Sequence, residues 1–170
     1  MERLALFVTM FSWAHTACAH PDYTTSHGIA VYKQGNVVDN RELEILLDET
    51  FKAGGQHWDE IFLRKSVAKL GTELYFESES FACPTADNRD RKCWGTIDDS
   101  FTFMRIVATR CLAASAISHE MAHIFGYLVL GDSDPFHENV ELFFAPGSVS
   151  RDGAWNSCAL ICPELCGGTK

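Results

Sequence analysis

Positive charge is scarce in this chain: 14 Lys and Arg stand against 23 Asp and Glu, a formal net charge of −9. That excludes a simple nucleic-acid binder, because phosphate recognition rests on clustered cations and an acidic surface without a basic stripe repels a polyanion. Long hydrophobic runs are also missing. The apolar stretch Leu4 to Trp13 is too short to cross a bilayer, which takes roughly 20 residues, so no transmembrane segment is expected. No G-x-S-x-G is present, which removes the common strand-to-helix serine nucleophile. Internal repeats, low-complexity tracts and dividing linkers are absent as well. What is there is ordinary for a globular domain: 46% apolar and 22% charged residues, far from the composition of disordered chains. At 170 residues one core can bury roughly 70% of the surface of the unfolded chain, so a single domain is expected.

The first nineteen residues read as targeting. Arg3 precedes the short apolar run, and Ala17-Cys18-Ala19 has the small-x-small pattern of signal-peptidase cleavage, leaving His20 first in the mature domain of residues 20–170. A buried N-terminal helix is the structural alternative. Lipidation at Cys18, as in bacterial lipoproteins, is a second processing route, although His15 stands where their lipobox has Leu or Val. The expectation is therefore a secreted or periplasmic protein, with Cys18 as the site of any lipid anchor. Six cysteines then remain, Cys83, Cys93, Cys111, Cys158, Cys162 and Cys166, an even set that in an oxidising compartment reads as up to three disulfides. Cys83 with Cys93 is the least costly pair, and closing a loop of that size contributes roughly 2–3 kcal/mol. The tail cysteines have a zinc-knuckle look, but behind a signal peptide disulfides to Cys111 and within the tail fit better.

Periodicity along residues 20–170 predicts an α+β domain. Residues 20–27 read as a loose lead-in, and Gly28 to Tyr32 as a short strand ended by the Gln34-Gly35-Asn36 turn. Leu43, Leu46, Leu47 and Phe51 fall at helical spacing behind Asn40 as the cap, with Gly54-Gly55 at the end. Trp58 to Leu70 leans helical. Glu73 to Glu77 alternates like an edge strand, and Phe101 to Thr109 is the strongest strand. Cys111 to Leu130 reads as one long buried helix ended by Gly131. Asp134 and Pro135 then look like the cap and first residue of another helix, which stops before Pro146-Gly147.

Inside the long helix stands His119-Glu120-Met121-Ala122-His123, the H-E-x-x-H pattern. Residues four apart share a helix face, so both imidazoles can reach one ion near 2.0–2.1 Å, while Glu120 projects beside it to accept a proton from water that the metal acidifies. Composition alone yields this pattern about 0.02 times in a chain of this make-up. The bland reading is two buried histidines bonded to backbone or carboxylates. It must find a partner for each of three clustered polar groups, at roughly 1–3 kcal/mol for any left unpaired. One cation satisfies both imidazoles at once.

On these residues the chain resembles the zincins, the broad family of zinc-dependent metallopeptidases. The resemblance covers the motif helix and, loosely, the helix–strand–strand order before it. It implies a zincin-like fold in which a small twisted sheet packs on the motif helix, with Zn2+ held by His119 and His123 and Glu120 as the catalytic general base. Metzincins resemble H-E-x-x-H-x-x-G-x-x-H; Gly126 fits the glycine, but Val129 occupies the last position and removes that assignment. Gluzincins take a downstream Glu, for which Glu141 stands available. His137 is the preferred third metal ligand, with Glu141 second and Glu138 or Asp134 behind, since the bend at Gly131-Asp132 can carry residue 137 back across the metal face. The stretch Gly131-Asp132-x-Asp134-x-x-His137 is also similar to small exported bacterial proteins that look zincin-like.

The remaining candidates read as structural. Asp132 and Asp134 suit turn and cap roles over positions behind the ligands, and Asp87 to Asp90 lacks the spacing and glycine of a calcium loop. His27 and His57 read as surface or edge residues, and Tyr127 as core packing with an oxyanion role as its functional alternative. The expectation is thus a secreted, disulfide-stapled zinc metallopeptidase acting as a monomer on a peptide or protein substrate, with the charge favouring neutral or cationic partners. The competing reading is a secreted disulfide-rich binding protein whose zinc is structural or vestigial.

Overall fold

A computed structural model describes residues 20–83, 92–134 and 137–166. The leader with Cys18, the Asp87–Asp90 stretch and Pro135 lie outside the described residues. The chain forms β1 (Tyr23–Thr24), β2 (Ala30–Tyr32), α1 (Asn40–Gly55), α2 (Glu60–Leu70), β3 (Glu73–Glu77), β4 (Phe81–Ala82), β5 (Lys92–Cys93), β6 (Gly95–Ile97) and β7 (Phe103–Val107). After a short 3-10 turn at Leu112–Ala114 come α3 (Ile117–Leu130), α4 (Val140–Phe143), α5 (Val149–Ile161) and α6 (Pro163–Cys166). This is the expected α+β mixture with a small sheet.

The sheet runs β1-β2-β3-β7-β6, and β4 pairs with β5 in a separate hairpin. Strands β2, β3 and β7 are parallel, while β1 and β6 run antiparallel at the two edges. Residues 73–77 are therefore the middle strand and not an edge. The sequence showed alternation because Leu74 and Phe76 point into the core and Glu73, Tyr75 and Glu77 point to the opposite face, where Tyr75 stacks on Tyr32. Residues 23–24, read as lead-in, form β1 by pairing with residues 30–31.

Helix α1 is capped by Asp39, whose carboxylate accepts from the amides of Arg41 and Glu42; Asn40, expected as the cap, is the first helical residue. Asp59 does the same for α2. Leu43, Leu46, Leu47 and Phe51 of α1 meet Leu74, Phe76, Met104 and Ile106 of the sheet and Ile117, Met121 and Phe125 of α3 in one core. At roughly 1.5–3 kcal/mol for each large apolar side chain fully buried, this cluster is the main stabilising element. A hydrogen bond of 2.8 Å between the buried hydroxyls of Thr50 and Ser118 fixes α3 along α1.

The helix expected from residue 111 starts only at Ile117. Cys111 is tied to Cys162 by a disulfide, and Ser115 and Ala116 lie outside α3, with no side-chain cap at Ala116. The other disulfides join Cys83 to Cys93 and Cys158 to Cys166, so all six cysteines of residues 20–170 are paired and the zinc-knuckle reading of the tail is set aside. No helix among the described residues is long and apolar enough to cross a membrane.

Candidate metal centre

Three histidines converge at the C-terminal half of the chain. His119 and His123 sit one turn apart on α3, and His137 comes back over them from the loop after the helix. Nε2 of His119 and Nε2 of His137 are 2.9 Å apart, and one ligating nitrogen from each of the three rings lies within 4.8 Å of the others. Their ring centroids are separated by 5.1 Å, 4.8 Å and 5.0 Å.

Local chain geometry delivers the third ring. Helix α3 ends at Gly131, with the chain in the left-handed region at φ 73°, and turns back against its own last turns. Gly126 permits this: a Cβ there would lie 2.8 Å from the carbonyl oxygen of Asp132. The glycine that fits the longer zincin pattern thus accommodates the returning loop. His137 does not open a helix, as the sequence suggested. It sits at φ 57° in a turn closed by its own amide to the carbonyl of Asp134, three residues before α4. A non-glycine residue in this region carries strain that the surrounding structure must support. The support is Asp134, whose carboxylate accepts from the amides of Glu138 and Asn139, while the carboxylate of Asp132 accepts from the amide of Asp134. Both aspartates therefore shape the loop, as expected of turn and cap residues. Glu138 is exposed, and of Glu141 only the backbone, in α4, is described.

Electrostatics lower the proton affinity of both motif histidines. Burial, then the neighbouring His123 and His137, pushes His119 down to about 4; burial also lowers His123, against the opposing effect of its hydrogen bond to the carbonyl of Ser133. That bond, 2.6 Å from Nδ1, gives the Nδ1 proton to Ser133 and leaves Nε2 of His123 with a lone pair. Two Nε2 atoms 2.9 Å apart must share one proton or both present lone pairs to a cation. A three-nitrogen imidazole set with a fixed outer bond is a donor set for a divalent transition metal, so the residues present fit a metal ion.

Phe143 packs against all three rings, at 5.0, 4.6 and 4.7 Å, and gives them an apolar floor. Beside them Glu120 is 6% exposed and has no hydrogen-bond or ion-pair partner among the described residues; burial raises its carboxyl to about 8. The far wall is β6. There Gly95 is required, because a Cβ would lie 2.4 Å from Cβ of Ala116 and 2.7 Å from Oε1 of Glu120. Between these walls lies a cleft of about 430 Å³ lined by His119, Glu120, His123, His137 and the whole of β6. It opens between α3, with Ser133 and His137 of the returning loop, and the sheet edge.

No family model, curated protein or solved structure matches this chain. The site is therefore read from its own geometry.

Phe143, Gly95 and the Ser133 carbonyl are site residues that pattern reading missed. Gly95 left a signal, since a glycine inside a strand run marks a close backbone approach; Phe143 and Ser133 left none. Tyr127 is 44% exposed and stacks at 4.4 Å on Phe101, a residue of the cleft lining, so it is not the buried core residue expected. His57 is exposed as expected, but His27 is buried.

Proposed function

We propose that the chain is an exported zinc metallopeptidase of zincin type, in which His119, His123 and His137 hold Zn2+ and Glu120 is the general base. The observation that carries it is the convergence of three imidazoles beside a buried carboxylate that has no partner among the described residues, on one wall of a cleft. When bound, the ion supplies Lewis acidity, polarising a carbonyl and acidifying water. Glu120 takes the proton of the attacking water as oxygen bonds to the peptide carbon, and passes it to the amine nitrogen as the C–N bond breaks. A carboxylate with raised proton affinity suits both transfers.

Strand β6 supplies the substrate's rail. The amide of Val107 donates to the carbonyl of Trp94, and the amide of Asp98 to that of Phe103, so residues 94 and 98 are hydrogen-bonded positions of the antiparallel pair. By alternation, Gly95 and Ile97 turn their peptide groups to the free edge, where an extended peptide adds as a further strand. Three disulfides agree with an oxidising compartment, and the signal-like leader with export, with Cys18 the point of attachment if the leader is processed as a lipoprotein.

Metal analysis and peptide hydrolysis by wild type and Glu120→Gln test this reading. One zinc per chain in both proteins, with hydrolysis reduced at least about 1000-fold in the variant, is expected. Equal hydrolysis by the two removes Glu120 from the reaction. A metal saturated by four protein ligands marks the structural-zinc alternative.

A further inference from the structure

We propose that the cleft selects extended peptides carrying a Lys or Arg side chain at its β6–β7 turn end, with Asp99 as the recognising carboxylate. The inference deepens the peptidase reading and rests on it for the chemistry, though not for the binding.

The cleft is electrically lopsided. At one end its wall is Lys92 with the Cys83–Cys93 disulfide; at the other it is Asp98, Asp99 and Phe101. Strand β6 joins the two ends. At about 3.3 Å per residue, positions 92 to 99 span on the order of 20 Å, room for a bound segment of about six residues. Among the described residues Lys92 is the one cationic side chain other than histidine in the lining, and it stands at the far end from the aspartates.

Asp98 and Asp99 have different tasks. The Asp98 carboxylate accepts from the amides of Thr102 and Phe103, both at 2.9 Å, and from the hydroxyl of Ser100. These bonds hold it charged, below its usual range despite partial burial, and lock the turn. Thr72 adds a 2.8 Å bond to the carbonyl of Phe101, itself at φ 60°. Asp99 rides on this fixed turn, is exposed to the cleft, and has no hydrogen-bond or ion-pair partner among the described residues. A free carboxylate on a rigid support, reinforced by a second negative charge next to it, favours a cationic side chain at a defined distance along β6. That something is meant to bind here follows independently from Glu120, 6% exposed, without a partner among the described residues and aimed into the same cleft, and from the outward peptide groups of Gly95 and Ile97. The net charge of −9 adds long-range attraction for the same class of ligand.

The test uses six-residue peptides, matched except for Lys, Gln or Glu at one position scanned along the sequence. Binding is measured by fluorescence anisotropy on the zinc-loaded Glu120→Gln chain, and cleavage on the zinc-loaded wild type. At one position Lys should bind about fivefold tighter than Gln, and Glu weaker than either. Asp99→Asn should bring the Lys-to-Gln ratio to about one, and Asp99→Lys should invert it. Circular dichroism and zinc content of each Asp99 variant show whether it is folded. Binding with the Lys preference but no cleavage supports this inference and sinks the peptidase reading. Cleavage without charge preference, a ratio that survives Asp99→Asn, or no peptide binding at all overturns the inference.

Discussion

Two histidine pockets in this molecule make opposite use of burial. His27 is 6% exposed, yet every polar edge of its ring is answered: Nδ1 faces the Arg64 guanidinium at 3.0 Å, and Nε2 lies 3.4 Å from Asp48 and 3.6 Å from Glu44, with the Ser26 hydroxyl alongside. Arg64 donates to the ring, so Nδ1 accepts and Nε2 carries the proton. Burial and then Arg64 lower its proton affinity, while the two carboxylates oppose. The three cleft histidines have one carbonyl and one another. The first pocket is a closed set of charges and donors; the second is a set of lone pairs without enough protons. Burial of histidine is therefore not the mark of a metal centre. The mark is what remains unanswered after the protein's own groups are counted.

Removing ligands sharpens this contrast most. The double variant His119→Ala/His123→Ala should lose zinc binding altogether in a competitive chelator titration, whereas His27→Ala should keep one zinc with affinity within about twofold of wild type. Comparable zinc loss in both variants would mean that the two pockets are not different in kind.

The next effect is a pH dependence confined to the cleft. In chelator-stripped protein, Glu120 titrates near 8 against an ordinary 4.5, so its favourable contribution to folding is complete below pH 4.5 and is lost as pH rises through 8. His119 runs the other way: near 4 against 6.5, it contributes fully above pH 6.5 and loses that contribution as pH falls toward 4. Urea midpoints of the stripped protein should therefore decline on both sides of a maximum near pH 6. Glu120→Gln should abolish the alkaline decline and be more stable by up to about 5 kcal/mol at pH 9, at about 1.4 kcal/mol per pKa unit. Zinc should erase the same decline in wild type by giving the carboxylate a cation to face. An alkaline limb unchanged by both would assign it elsewhere.

How much of this could be read beforehand divides along the same line. The convergence of His119, His123 and His137 was legible because metal chemistry would demand particular residue types at fixed helical spacing, and two of the three share one turn. Core helices were legible through periodicity. The His27 pocket was not: its partners come from residue 26, α1 and α2, and no local pattern announces that Ser26, Glu44, Asp48 and Arg64 will surround one ring. Strand order was hidden for a related reason. Alternation in residues 73–77 records two different faces, which a middle strand has whenever helices cover only one side of its sheet. Residue 137 comes to the motif rings as the bend at Gly131 suggested, but at φ 57° and not at a helix start, because a capping aspartate such as Asp134 serves a turn as readily as a helix.

On the closed side of the comparison, His27→Ala should lower stability by about 1–3 kcal/mol in urea unfolding, the penalty for leaving buried polar neighbours without a partner. The Arg64 ion pairs with Asp48 at 2.9 Å and Glu60 at 2.7 Å outlive the substitution, which holds the loss within that range. A loss at or below a few tenths of a kcal/mol would show that water replaces the ring and that the pocket is not a structural unit.

The smallest effect tests the floor under the open set. Among the described residues Phe143 alone packs against all three of the converging histidine rings, which makes it the apolar side chain placed to fix their mutual angles. Phe143→Leu keeps the site dry but removes the flat surface on which the rings rest. Groups that orient metal ligands typically alter affinity 10- to 100-fold when changed, and a contact made by dispersion alone belongs at the bottom of that range. Zinc should therefore bind about tenfold more weakly, with stoichiometry and the Glu120-dependent pH limb preserved. If affinity is unchanged, the rings are held by their own backbone and by the Ser133 bond, and the strained turn at His137 alone sets the geometry. If zinc is lost entirely, the floor is holding α4 and the returning loop in place, and the third ligand depends on packing more than on the turn that carries it.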